Sequence, residues 1–170
     1  MTVAKNKAFI FGGLGSKVFN DVLSFDIGKI FLQPEVNSKD TGKWAQHENL
    51  GDNPCGIYGH SLCYFKKRLI LFGGEVKFNF HLRQRECLCE TRVYDIGSFF
   101  FSYANYFSVE NGFWKNMRLQ GDIMQPRRNH SATIVGRNMV VIGGINNRGI
   151  ALSDLWQLDL SIFLDVSPLF

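Results

Sequence analysis

The side chains best able to do chemistry in this sequence are two His-Ser pairs, four cysteines and a scatter of arginines. A serine nucleophile needs a histidine base within hydrogen-bond reach and an acid that orients that base. No mutually supporting Ser-His-acid set can be read around His60-Ser61 or His130-Ser131. Both pairs recur at one position of a repeat, so His60 and His130 are read as structural. Zinc usually takes four ligands at recognisable spacings. Cys87-Leu88-Cys89 lacks Cys-x-x-Cys spacing and a paired His motif, and nothing brings Cys55, Cys63 or His81 to it. Gly12-Gly13-Leu14-Gly15-Ser16-Lys17 is glycine-rich but fits neither the dinucleotide fingerprint nor the P-loop with its Gly-Lys-Ser/Thr ending. The expectation is a chain with no catalytic residue, no metal and no cofactor.

What remains is recognition chemistry. Arg83, Gln84 and Arg85, Arg127 and Arg128, and Asn146, Asn147 and Arg148, with Tyr58, fall in segments between strand-like runs. Guanidinium groups grip carboxylates and phosphates bidentately. These residues are therefore the candidate contacts for a protein or peptide partner of acidic character; the alternative is a solvated loop rim with no partner. The net charge of +4 is too mild a surplus to argue for nucleic acid. A second set of cations, Lys5, Lys7, Lys66, Lys67, Arg68 and Arg137, falls at short turns, where lysine also suppresses edge pairing.

With 45% hydrophobic and 20% charged residues, the composition is globular. No apolar run approaches the ~20 residues that span a bilayer, and no secretory leader is read at the start. The expected location is intracellular, in the cytoplasm, with reduced thiols. The sequon Asn129-His130-Ser131 is then read as chance.

The elements that must position these residues follow from an internal repeat. Three apolar runs end in a glycine pair: Phe9-Ile10-Phe11-Gly12-Gly13, Ile70-Leu71-Phe72-Gly73-Gly74 and Val140-Val141-Ile142-Gly143-Gly144. His60-Ser61 and His130-Ser131 each stand 13 residues before the next pair. After each pair comes an acid-led apolar segment ending in aspartate, at Asp26, Asp95 and Asp159. Trp44 and Trp114 follow the first two, each with a Gly-Asp seven residues on, at Gly51-Asp52 and Gly121-Asp122. Each repeat reads as four short strands rich in β-branched and aromatic residues. Strand A starts at the histidine, B ends at the glycine pair, C ends at the aspartate, and D carries the tryptophan. The A–B turns align as Lys5-Asn6, Lys66-Lys67 and Gly136-Arg137, and the glycines let a neighbouring backbone or aromatic ring approach closely.

In the joint register of His-Ser, Gly-Gly, acid, terminal Asp, Trp and Gly-Asp, the sequence resembles the kelch repeat over nearly its whole length. The resemblance implies an all-β fold, a partial kelch-type β-propeller of four-stranded antiparallel blades. It also implies that the repeat's tryptophan and tyrosine pack between blades, a pattern that Trp114 and Tyr94 match, while the first repeat has Trp44 with Phe25 in place of the tyrosine. The expected organisation is one incomplete domain, with a partial blade over 1–50, a complete blade over 51–120 and a partial blade over 121–170. The first blade is expected to have lost most of strand A and the third its strand D. Glycine pairs 61 and 70 residues apart mean long C–D insertions, 28–43 and 97–113, the second rich in aromatics. A propeller closes with about four to eight blades, so further blades are expected in cis or from another subunit.

Kelch propellers mostly serve as scaffolds, with partners on the face built by the D–A and B–C loops. The implied function is a non-catalytic protein-binding module. The alternative is the propeller part of a larger enzyme or of a ubiquitin-ligase substrate adaptor. An iron motif of some plant kelch proteins, Glu-x3-Asp-x3-His, is broken here: Glu48 and Asp52 keep the spacing but Gly56 stands where His is needed.

Overall fold

The computed structural model describes residues 1–28, 43–76, 87–88, 90–95, 100–102, 105–107, 112–117 and 121–161. Short runs of β-branched and aromatic residues, punctuated by turns, form strands throughout, as their preference for a pleated surface requires. The first sheet runs β1 (Thr2–Ala4), β2 (Lys7–Leu14), β3 (Val18–Asp26) and β4 (Ala45–His47), all antiparallel neighbours in chain order. A two-residue strand, β5 (Leu50–Gly51), leads into the second sheet: β6 (Ser61–Phe65), β7 (Arg68–Phe72), β8 (Thr91–Asp95) and, after a separate hairpin of β9 (Phe100–Ser102) and β10 (Asn105–Phe107), β11 (Phe113–Met117). The third sheet is β12 (Ser131–Val135), β13 (Asn138–Ile142) and β14 (Leu155–Asp159).

The A–B turns fall where the sequence places them. Ala4 faces Lys7, Phe65 faces Arg68 and Val135 faces Asn138, leaving two residues in each turn. Such turns need left-handed backbone, and Lys5, Lys66, Lys67 and Gly136 supply it, with φ of 54°, 44°, 65° and 60°. Three details differ from the sequence reading. The A strands start at the serine, because His60 and His130 lie in the linkers. The first sheet keeps a three-residue A strand. Trp44 stands just ahead of β4 rather than inside it. β5 was not foreseen: it pairs parallel with the far edge of the second sheet, Leu50 opposite Phe113 and Gly51 opposite Trp114.

Strands have a side-chain period of two, so a strand covered on both faces divides its residues between two cores. The second sheet does this. Leu62, Leu69 and Leu71 join Phe9, Phe11, Val22, Ile57 and Trp114 on one side. Cys63, Phe65, Ile70, Phe72 and Val93 join Met124, Met139, Val141 and Leu160 on the other. Each fully buried Phe, Leu or Ile contributes about 1.5–3 kcal/mol. The molecule is thus a stack of three sheets with apolar seams between them, the partial propeller implied by the repeat. No helix among the described residues is long and apolar enough to cross a membrane.

Candidate partner-binding face

Each seam is built from the linker that enters a sheet. The linker backbone stitches onto the glycine pair of the sheet before it: the Gly13 amide donates to the Ile57 carbonyl at 2.8 Å, and the Gly74 amide to the Arg127 carbonyl at 2.9 Å. Gly73, at φ +64°, shows why glycine is needed. A β-carbon there would lie 2.7 Å from the Arg127 carbonyl oxygen and 2.9 Å from the His130 ring. Gly12, Gly74 and Gly144 are crowded in the same way, whereas Gly143 meets only Leu152 and Gly13 meets nothing within 4 Å.

The two repeated histidines sit at these seams. His130 Nε2 lies 2.8 Å from Ser61 Oγ, across the seam rather than within its own turn, and its ring stands edge-on to Phe72. His60 stands edge-on to Phe11. Trp114 is fully buried against Phe11, ring centroids 5.0 Å apart, and its indole N–H donates to Asn49 Oδ1. Trp44, at the matching position of the first sheet, is 49% exposed and touches Phe25 of its own sheet. Tyr94 pairs through its backbone with Leu69 and Trp114.

The linkers also meet the B–C loops. Tyr58 bridges to Glu75, and Glu75 to Cys87; Arg128 bridges to Ile145, and Ile145 to Ala151. The Glu75 carboxylate, fully buried, accepts from Tyr58 Oη at 2.6 Å and pairs with Arg128 Nε at 2.7 Å. A buried charge is tolerable only when paired and hydrogen-bonded, and this clasp ties the second sheet to the third. Arg127 forms another. Its fully buried guanidinium donates to Asp154 Oδ1 and Oδ2, at 2.7 Å each, and to the Gly143 carbonyl at 2.8 Å. Those bonds hold the Asp154 carboxyl down at about 2, helped by the Trp156 indole N–H.

Among the sequence-chosen contacts, Arg127 is therefore corrected. It faces the interior and is saturated by Asp154 and Gly143, so it has no free edge for a partner. Arg128 and Tyr58 are half-buried and share Glu75. Asn146 Oδ1 accepts from the Arg148 and Ile150 amides and shapes its own loop. Asn147 and Arg148 are exposed, and Asn147 Oδ1 accepts the Cys87 amide at 2.5 Å, joining the two B–C loops. Arg83, Gln84 and Arg85 lie outside the described residues. Sequence reasoning missed Glu75 and Asp154 as ion-pair partners. It also missed Asp52, whose amide donates to the Trp114 carbonyl and whose carboxylate accepts the Asn116 amide. Among the described residues, no three His, Cys, Asp or Glu gather to hold a metal ion.

The KLHDC2/KLHL20/DRC7 Kelch-repeats domain family model matches residues 1–164. The chain belongs to the kelch-repeat family. Kelch relatives include the Rho GTPase-activating protein gacHH of Dictyostelium discoideum, 25% identical over 98% of this chain and 10% of that protein. Tip elongation aberrant protein 3 of Schizosaccharomyces pombe is 29% identical over 89% of this chain and 14% of its own length. Putative adagio-like protein 2 of rice is 26% identical over 94% and 21%. The solved structure of YjhT superposes with a TM-score of 0.59 at 15% identity, covering 93% of this chain and 40% of that one. The chain thus spans about a tenth to a fifth of these curated relatives. Kelch repeats are generally protein-interaction modules, and this kelch chain is similar to small parts of multidomain proteins.

Proposed function

We propose that this chain is a non-catalytic kelch module that holds an acidic protein or peptide partner on the face made by its linkers and B–C loops. The observation that carries the reading is the double tie between linker and loop: Tyr58 to Glu75 to Cys87, and Arg128 to Ile145 to Ala151. The described positions of the loop rim, Tyr58, Glu75, Cys87, Arg128 and Ile145, are held by backbone bridges and the buried Glu75 clasp, and fixing contact positions in advance lowers the ordering cost of binding. The cationic contacts of this proposal are then Arg148, exposed at its loop, together with Arg83 and Arg85 from outside the described residues, since Arg127 and Arg128 are neutralised within the chain. The open outer faces of the first and third sheets are taken by further blades, in cis or from another subunit. Ser131, Ile142 and Leu155, exposed on the third sheet, match Ser61, Phe72 and Thr91, which the second sheet buries against its neighbour.

The test is selection from a random peptide display library, followed by binding to the Arg83→Glu, Arg85→Glu, Arg148→Glu triple variant. Selected peptides are expected to be rich in Asp and Glu. Their dissociation constants are expected to rise at least ~10-fold in the variant, whose melting temperature stays unchanged because no described seam uses these residues. Selected peptides without acidic enrichment, or an unchanged dissociation constant, overturn the acidic-partner reading.

A further inference from the structure

The two seams share one seat for an imidazole. His60 and His130 come from the linkers that open the second and third sheets. Each lays its ring edge-on against a phenylalanine of the preceding sheet, Phe11 at 5.6 Å and Phe72 at 5.3 Å. One side of each ring is satisfied, by the Phe11 carbonyl for His60 and by Ser61 Oγ for His130. The Nδ1 atom of each is buried with no hydrogen-bond partner among the described residues. A neutral imidazole can leave one acceptor nitrogen bare at modest cost. An imidazolium must donate from both nitrogens, and a buried charged donor without an acceptor is expensive.

We propose that the two seams are proton-operated joints: mild acid charges His60 and His130 and loosens both blade contacts together. The stack is then rigid at neutral pH and hinged in mild acid. The charged groups that face the rings oppose protonation. The N-terminal amine and His130 act on His60, and Arg127 acts on His130. Among the described residues, two nearby carboxylates are already committed, Asp154 to Arg127 and Glu75 to Arg128. Burial first, and then these cations, lower both rings to about 4 from the ordinary 6.5. A released ring takes its proton near 6.5 and a seated ring near 4. The stabilisation is therefore complete above pH 6.5 and drains as pH falls from 6.5 toward 4. At pH 5 the opening constant of each seam is roughly 30-fold larger than at pH 8. His47, bonded to Ser24 Oγ in the first sheet and lowered by burial and Lys7, adds a separate contribution, so the rings must be resolved one by one.

Ring-proton NMR of the whole chain from pH 8 to 3.5, with His60→Gln and His130→Gln to assign the signals, makes that separation. Two rings titrating below pH 5 are expected. The fall in unfolding midpoint between pH 6.5 and 4.5 is expected to shrink in each single variant and, in the double variant, to drop to the share of the remaining titrating groups, His47 and His81 among them. All rings titrating at pH 6 or above overturns the proposal, as does an unchanged pH profile in the double variant. Should the variants not fold, the wild-type chain decides through its tryptophan emission, because Trp114 lies in the first seam and Trp156 packs on the second, while Trp44 is already half-exposed. A red shift of that emission between pH 6.5 and 4, with the far-ultraviolet strand signal retained, is the expected result. Emission that does not move over that range overturns it.

Discussion

The second and third sheets carry the same repeat in the same register and meet different surroundings. Leu62, Cys63, Phe65 and Leu69 through Phe72 are all buried, because a sheet lies on either side. Among the described residues, the third sheet is covered on the side toward the second. Met139 and Val141 are fully buried while Val135, Ile142 and Leu155 are half-exposed or more. Trp114 and Trp44 repeat the contrast at the other end of the stack. Burial in this fold is therefore a property of stacking rather than of the blade, as expected where each repeat buries its apolar face only against its neighbours.

The most direct way to break that comparison is to delete matched side chains. Phe72 stands opposite Ser61 and Ile142 opposite Ser131, so the two hold one repeat position. Phe72→Ala removes a ring from a closed seam and is expected to cost about 3–5 kcal/mol in urea unfolding. Ile142→Ala, at a site 50% exposed, is expected to cost less than about 1 kcal/mol. Equal losses mean that another blade covers the third sheet in solution, by self-association or by added chain, and the contrast then belongs to the isolated stack alone.

A second comparison sets a buried ion pair against an exposed one. Asp154 answers the fully buried Arg127. Glu90, at the matching start of β8, meets a partly exposed Arg92 at 2.6 Å. Asp154→Ala leaves a buried guanidinium without its counter-charge and is expected to cost about 3 kcal/mol. Glu90→Ala is expected to cost between about 0 and 1 kcal/mol. The acid dependence has a definite sign. Asp154 is held at about 2 against an ordinary 3.8, so its contribution is whole above pH 3.8 and is lost as pH falls toward 2. Chemical unfolding of the wild type and of Asp154→Ala, repeated from pH 5 to 2, is expected to show the two curves converging over that interval.

These contrasts also show why some of the molecule was legible in its sequence and some was not. The strands, their turns and the seam glycines follow from residues whose own backbone and side-chain preferences recur at fixed spacing, and Gly73 or Lys66-Lys67 can be read without knowing a neighbour. Partners cannot be read that way. Arg127 occupies the repeat position of Ile57, and both are buried in seams; an arginine can take an isoleucine's place only because Asp154 arrives from 27 residues away. Read alone, Arg127 in a linker looks like a solvated cation. Glu75, which follows a glycine pair as Ile145 does, was likewise hidden until Tyr58 and Arg128 closed on it. The acid that leads each C strand was visible as a pattern, but its partner depends on which linker crosses it.

The smallest expected effect probes the Gly-Asp pairs, whose role emerged only from the fold. Gly51 at φ +73° and Gly121 at φ +96° both need left-handed backbone, so an alanine at either site carries a cost of about 1 kcal/mol. Their surroundings then separate them. A β-carbon on Gly51 would lie 2.5 Å from the Trp114 carbonyl oxygen and 2.6 Å from the Phe113 ring, where β5 and Asp52 grip the edge of the second sheet. A β-carbon on Gly121 meets nothing within 4 Å among the described residues. Gly51→Ala is therefore expected to cost about 1 kcal/mol more than Gly121→Ala in thermal unfolding, and to loosen Trp114, seen as a red-shifted emission that Gly121→Ala does not produce. Equal costs with no spectral difference would mean that the linker does not hold β11, and that the tryptophan is kept in place by the Phe11 seam alone.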